Sequence, residues 1–241
     1  MSTCALVTGA ASGIGRAVVD RFLDDGSVDR VAALDIDPSL HDEFGESVST
    51  YTVDVRDHDA VRRVVDDIEE SNNCVAVVNN AAVSRYAWLA DLTPEEWHEV
   101  LEINLTGQYN VVHAVGPRMY ERGEGSIVNI SSTAGQRGSA SAGVHYSASK
   151  AGIFGLTKGL AKQLAPAVRV NCVVPGLIDT PLATDSGLWS EAELAAFVER
   201  LPAGRLGEPD EVARVVHFLC GDGGAYMTGS VVNVDGGSDL V

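Results

Sequence analysis

Tyr146-Ser147-Ala148-Ser149-Lys150 sets a phenol and an ammonium one helical turn apart, so that both can project from one helix face. Alone, such a pair is more often a surface coincidence than a site. Together the two groups can exchange a proton with an oxygen. A free phenol has a pKa of about 10, and lowering it to about 7 takes roughly 4 kcal/mol of preference for the phenolate. A lysine ammonium at about 5 Å supplies roughly 3 kcal/mol at an effective dielectric of about 20. Upstream, Ser131-Ser132 offers hydroxyls that could hydrogen-bond an oxygen as negative charge develops on it. The chemistry these side chains suit is interconversion of an alcohol and a carbonyl.

Such chemistry needs a hydride carrier, and the opening of the chain has the parts to bind one. Thr8-Gly9-Ala10-Ala11-Ser12-Gly13-Ile14-Gly15 places three glycines between an apolar run and a helical pattern. Backbone N–H groups and a helix dipole there suit a pyrophosphate. The glycine spacing differs from GxGxxG, so the turn carries weight only in context. Asp35 stands at the end of the next apolar run, twenty positions after Gly15, where an acid can accept hydrogen bonds from adenosine ribose hydroxyls. The 2′-phosphate of NADP would meet like charge, so NAD is the expected cofactor and NADP the less favoured one. Ser12 lies in the turn and Ile36-Asp37 follow Asp35, so neither place offers a cation for a 2′-phosphate. Arg16, the nearest cation, begins the helix and is expected to point away from the ribose.

The elements that must position these groups alternate along the chain. Apolar runs at 4–8, 31–35, 50–53, 74–79, 126–130, 168–174 and 230–234 read as strands. Helical spacing covers 14–25, 57–70, 93–122 with a possible break, 144–164 and 208–219. Thr93 is the expected N-cap of its helix, with Pro94 at the first helical position and acids in the first turn. This alternation predicts one α/β domain over 1–241, a doubly wound parallel sheet of about seven strands with helices on both faces. Segment 177–200 exceeds an ordinary connection and is expected to form a substrate lid.

The turn TGxxxGIG, Asn79-Asn80-Ala81-Ala82, Asn104, Ser132, YxxxK and Pro175-Gly176 occur together and in that order. The sequence thereby resembles the short-chain dehydrogenase/reductase family over essentially its whole length. The resemblance implies a Rossmann-type fold with Ser132, Tyr146 and Lys150 as catalytic triad and Asn104 as a fourth member anchoring a water. It implies cofactor contacts at Gly9, Ser12, Gly13, Ile14, Gly15 and Asp35. Asp54-Val55 would form the adenine pocket, and Asn80, Ala81 and Ala82 the cofactor cleft. Ile178 and Thr180 would meet the nicotinamide amide, Pro175-Gly176 would shape the nicotinamide face, and Lys150 and Tyr146 would also touch the cofactor.

Ala82 stands where the family usually has glycine, and Ser132 precedes Tyr146 by fourteen residues where thirteen is frequent, leaving Ser131 as an alternative. Arg205-Leu206-Gly207-Glu208-Pro209 and Tyr226-Met227-Thr228-Gly229 resemble 3-oxoacyl thioester reductases, although such segments recur across the family. The resemblance, with the apolar spacing in 109–119 and 153–164, also implies a homodimer or homotetramer built on two helices.

Composition limits the partners. A formal charge of −17 speaks against nucleic acid and anionic membranes, since phosphate binding needs a basic patch. No run of eighteen apolar residues occurs, and the start lacks a secretory pattern, so a cytoplasmic protein is expected. Cys4, Cys74, Cys172 and Cys220 form no CxxC pair and read as small buried hydrophobes, and the six histidines show no metal-ligand spacing, so no catalytic metal is expected. Only Lys150, Lys158 and Lys162 are lysines against 34 acids, a surface suited to high salt. His145 is expected on the helix surface or in packing. Trp88, Trp97 and Trp189 are expected mainly to pack, with Trp189 the one best placed to reach a ligand. The expected substrate is a small secondary alcohol, sugar or carbonyl compound. A 3-oxoacyl thioester is the alternative, and an intact Ser132, Tyr146 and Lys150 argues against a non-catalytic nucleotide sensor. The pocket walls, 84–90 and 177–200, follow no simple code for the substrate.

Overall fold

The continuous apolar runs form strands because both faces of the sheet are covered. In the computed structural model, which describes all residues except 43 and 185–189, the strands are β1 (Ser2–Thr8), β2 (Arg30–Asp35), β3 (Val48–Thr52), β4 (Asn72–Asn79), β5 (Ser126–Ile130), β6 (Arg169–Pro175) and β7 (Val231–Val234). They make one sheet in the order β3-β2-β1-β4-β5-β6-β7. Every pairing is parallel. The helices are α1 (Gly13–Asp25), α2 (His58–Ser71), α3 (Pro94–Leu101), α4 (Gly107–Arg122), α5 (Thr133–Arg137), α6 (Gly143–Leu164), α7 (Pro181–Thr184), α8 (Glu191–Arg200) and α9 (Pro209–Cys220).

Successive side chains of a strand point to opposite faces. Cys4 and Leu6 of β1 therefore enter one core with Val61, Val65 and Ile68 of α2 and Val111, Val115 and Met119 of α4. Ala5 and Val7 enter the other, with Val18, Val19 and Phe22 of α1 and Val212, Val216 and Leu219 of α9. None of these is more than 2% exposed. Each side chain of Val, Leu, Ile, Phe or Met size contributes roughly 1.5–3 kcal/mol by leaving water. Truncating Phe22 to alanine would cost roughly 3–5 kcal/mol through the cavity it leaves.

The predicted boundaries of the strands and of most helices fall within about two residues of those observed, and the helix expected from Thr93 has its break. Thr93 caps α3 in a reciprocal box, its N–H donating to Glu96 Oε2 at 2.9 Å and Glu96 N–H donating to Thr93 Oγ1 at 3.2 Å. A π-helical turn, Glu102–Thr106, then joins α3 to α4. Such turns insert one residue into a helix and reset which face meets the core.

Two packing expectations change. Trp88 is 64% exposed rather than packed, because it sits in the loop after β4 and no element covers it there. His145 is fully buried, so the surface alternative fails and the packing one stands. Trp189 lies outside the described residues. Among the described residues, no helix is long and apolar enough to cross a membrane, and no group of three or more His, Cys, Asp or Glu side chains could hold a metal ion.

Candidate active site

The order of strands reverses between β1 and β4, and open sheets of this kind bind ligands outside the carboxyl ends at such a switch point. Here the two strand ends are clasped. Thr8 Oγ1 accepts from the N–H groups of Asn80 at 3.0 Å and Ala81 at 3.1 Å, and Asn80 Nδ2 donates to the Thr8 and Gly9 carbonyls, both at 3.1 Å. The clasp leaves no room for a side chain at Gly9 or Gly15. A Cβ on Gly15 would lie 1.9 Å from the Gly9 carbonyl oxygen, and one on Gly9 would lie 2.9 Å from Ala81 Cα. Gly9 also adopts φ +66°, where only glycine is unstrained.

This tight turn feeds directly into α1, whose N-cap is Ser12, whose first residue is Gly13 and whose second, Ile14, lines the cleft. The first-turn N–H groups have no acceptor within the helix, so the turn can take an anion such as a dinucleotide pyrophosphate. Asp35 completes it, one carboxylate oxygen accepting from Ala11 N–H at 2.9 Å. Arg16 is directed elsewhere, onto the ring of Phe44 at 4.3 Å and toward Asp20 at 3.3 Å. Asp54 and Val55 follow β3 and lie outside the main cleft. Arg56 Nη2 donates to Asp54 Oδ2 at 2.6 Å and holds that carboxyl below its usual range. Asn110 Nδ2 donates to the Val55 carbonyl at 2.9 Å. The residues present fit a dinucleotide.

A cleft of about 790 Å³ opens at these strand ends, with Ser132, Tyr146 and Lys150 on its wall. Asn80 and Ala82 line it after β4, and Pro175, Gly176, Ile178 and Thr180 line it after β6. Leu182 and Ala183 of α7 and Glu193 and Phe197 of α8 add to the same wall, so the described part of 177–200 borders the cleft. Ala82, which stands where the family usually has glycine, is part of that wall.

Helix α6 brings Tyr146 and Lys150 together, with Lys150 Nζ 5.7 Å from the centre of the phenol ring. Lys150 is 2% exposed, and its Nζ donates to the Ile130 carbonyl at 3.1 Å. Burial pulls its ammonium down to about 8. Burial pushes the Tyr146 phenol up, against a lowering hydrogen bond with Ser132. The protein by itself thus keeps Tyr146 a neutral phenol; the cationic ring of an oxidised nicotinamide would lower it.

The two serines separate by environment. Ser131 is 3% exposed and spends its hydroxyl on the Lys150 carbonyl at 2.7 Å. Ser132 caps α5 through Ala134 N–H at 3.1 Å and keeps its place beside Tyr146. Asn104, fully buried in the π-helical turn, accepts from Val83 N–H at 2.8 Å and donates to the Val83 carbonyl at 2.9 Å and Ser149 Oγ at 3.1 Å. Its side chain fixes the loop after β4 to α6 and makes no bond to Lys150 itself.

Gln108 escaped the sequence reading, Thr8 entered it only as part of the glycine-rich turn, and Ser84 only within the expected wall 84–90. Thr8 builds the clasp, Ser84 lines the cleft, and Gln108 donates to the Ile130 carbonyl at 3.2 Å. Gln108 carried no signal, since a glutamine in an amphipathic helix is commonplace. The thiols are inert by burial, which pushes Cys4 up to about 11 and Cys172 up to about 12.

A phenol, an ammonium and a hydroxyl at the switch point of a doubly wound sheet, beside a dinucleotide-binding turn, define a nicotinamide-dependent oxidoreductase. A model of the family described as enoyl-(acyl carrier protein) reductase matches residues 9–239. A 3-oxoacyl-[acyl-carrier-protein] reductase of Thermotoga maritima is 40% identical, the match covering 96% of each chain. The ligand-free aldohexose dehydrogenase of Thermoplasma acidophilum superposes with a TM-score of 0.90 at 32% identity, over 99% of this chain and 94% of that one. A 3-oxoacyl-[acyl-carrier protein] reductase of Brucella melitensis with bound NAD superposes with a TM-score of 0.86 at 34% identity, over 99% and 92%. The chain belongs to the short-chain dehydrogenase/reductase family and is an oxidoreductase acting on CH–OH groups with NAD or NADP.

Proposed function

We propose that the protein interconverts a small secondary alcohol or sugar hydroxyl and its carbonyl, with NAD as preferred cofactor and Tyr146 as general acid and base. The observation that carries this reading is the convergence of Ser132, Tyr146 and Lys150 on one cleft wall beside the glycine-rich turn. When bound, the nicotinamide accepts or supplies the hydride. In oxidation, the Tyr146 phenolate takes the alcohol proton; in reduction, the phenol returns it to the carbonyl oxygen. Ser132 donates to that oxygen while it carries charge. Lys150 stabilises the phenolate and donates toward the cofactor ribose. Asn104 holds the loop after β4 against α6, and Gly9, Ser12, Gly13, Ile14 and Gly15 seat the pyrophosphate. Asp35 takes the adenosine ribose hydroxyls, Asp54-Val55 flank the adenine, and Asn80, Ala81 and Ala82 border the cofactor. Pro175-Gly176, Ile178 and Thr180 surround the nicotinamide. We place the protein in the cytoplasm as a homo-oligomer.

A second reading, reduction of 3-oxoacyl thioesters, is supported by the name of the 40%-identical relative and by the segments 205–209 and 226–229. One panel separates the two: sugars, cyclic and open-chain alcohols, ketones and acetoacetyl thioesters, each followed by nicotinamide absorbance with both cofactors. A catalytic efficiency for the thioester far above all alcohols and sugars overturns the first reading. No turnover of any substrate overturns both.

A further inference from the structure

Lys150 does not hold the Ile130 carbonyl alone. Lys150 Nζ donates to that oxygen at 3.1 Å, and Gln108 Nε2 donates to the same oxygen at 3.2 Å. Gln108 comes from α4, behind the cleft, where it is 2% exposed. The direction of its amide follows from chemistry, because a carbonyl oxygen only accepts and the NH₂ end must face it. Its Oε1 is then buried without a hydrogen-bond partner. Burying that oxygen unpaired costs stability. Packing therefore gives no reason for glutamine at a place where methionine has nearly the same shape.

The shared carbonyl occupies a particular place. It belongs to the last residue of β5, and the next two residues are Ser131 and Ser132. Ser131 N–H donates to the Val173 carbonyl at 2.9 Å, and Ser131 Oγ donates to the Lys150 carbonyl at 2.7 Å. Gln108 thus touches the peptide group that links Lys150 to the start of the serine segment. The π-helical turn Glu102–Thr106 precedes α4 and sets the face on which Gln108 meets β5.

A carbonyl oxygen has two lone pairs and a finite polarity to share. With one donor, all of it acts on the ammonium. With a second donor, the ammonium keeps part, and its remaining N–H groups stay directed to the cleft. Around Lys150, α6 contributes Tyr146, β6 contributes Cys172, and β5 contributes the Ile130 carbonyl. Burial pushes the Cys172 thiol up to about 12 and keeps it neutral, so the Ile130 carbonyl at 3.1 Å is the polar group seen to hold the ammonium.

We propose that Gln108 is a positioning residue for the reaction: by sharing the Ile130 carbonyl it limits how firmly that oxygen holds the Lys150 ammonium and orients the strand end that carries Ser132. This rests on the reading of Lys150 and Ser132 as working groups. The experiment is the pH profile of kcat/KM for alcohol oxidation by the wild type, Gln108→Met, Gln108→Glu and Lys150→Ala, with melting temperatures alongside.

Gln108→Met gives the carbonyl wholly to Lys150. The basic limb, where Lys150 loses its proton, then moves up by about half a pH unit, and kcat falls about fivefold, the size of one net hydrogen bond. Gln108→Glu sets a carboxylate near the ammonium and moves the limb further in the same direction. KM for the cofactor changes less than kcat in both. A basic limb that stays in place in folded variants, whatever happens to melting, shows a structural role only and overturns the proposal. If Gln108→Met does not fold, Gln108→Glu, which keeps the shape but removes the donor and adds a charge, decides. Substantial activity in Lys150→Ala would instead overturn the underlying reading of Lys150, and that failure is distinct.

Discussion

The carboxylate of Asp35 at the end of β2 accepts a hydrogen bond of 2.9 Å from Ala11 N–H in the glycine-rich turn, while its other oxygen accepts from Asp37 N–H at 3.0 Å. A negative charge is thereby held at the place where we propose that the adenosine ribose lies. A 2′-phosphate at about 5 Å would meet roughly 3 kcal/mol of repulsion at an effective dielectric of about 20, about a hundredfold in affinity. Catalytic efficiency with NAD should exceed that with NADP by that order, Asp35→Ala should narrow the gap, and salt should weaken it. Equal or better use of NADP by the wild type would show that Asp35 does not select the cofactor.

Tyr146→Phe removes the proton-exchanging hydroxyl with little change of bulk. Turnover should fall by roughly 10² to 10⁴, the usual worth of acid/base catalysis, while the cofactor dissociation constant stays near that of the wild type. Retention of more than about a tenth of the activity would refute the assignment.

Lys150 is a buried lysine whose ammonium is pulled from 10.5 down to about 8 in the folded protein. Between those values the unfolded chain binds more protons than the folded one, so stability rises with pH across the window and the charged lysine is a burden below it. The burden is of the order of 3 kcal/mol in the cofactor-free protein. Lys150→Met should therefore raise the melting temperature at pH about 7 while losing activity, and the gain should shrink as pH approaches 10 or so. A gain that persists unchanged at the alkaline end would contradict this.

Gly15→Ala would set a Cβ 1.9 Å from the Gly9 carbonyl oxygen and 2.7 Å from Asn80 Nδ2. The turn must then part from β4, at a cost of roughly 1–3 kcal/mol or more. Calorimetry should show weaker cofactor binding together with a lower melting temperature. A variant that binds the dinucleotide normally would mean that the clasp is not needed for the site.

On α4, Tyr109 and Tyr120 are 46% and 48% exposed. With α6 they form the face expected to meet a second subunit, so sedimentation at micromolar concentration should give a dimer or tetramer, and a monomer alone would sink the idea. The charge of −17 should also make molar salt raise the melting temperature by screening repulsion among the acids. A melting temperature insensitive to salt would count against salt adaptation.

What the sequence determined by itself is what period and spacing encode. Strand faces, helix faces and turns are local properties, so the apolar runs of β1 and β4, the N-cap at Thr93 and the glycine-rich turn were legible. Tyr146 and Lys150 share a helix face whatever the fold, so their pairing was legible as well. Only the tertiary structure gives Ser131 and Ser132 different surroundings, because the Lys150 carbonyl, 19 residues away in sequence, takes the Ser131 hydroxyl. It also decided that His145 is buried, that Trp88 is not, and that Gln108 reaches a carbonyl 22 residues away. Such facts depend on which elements pack together and on a π-helical turn that no periodicity announces. Hydrogen bonds between distant residues are settled by packing, and packing is a property of the whole chain.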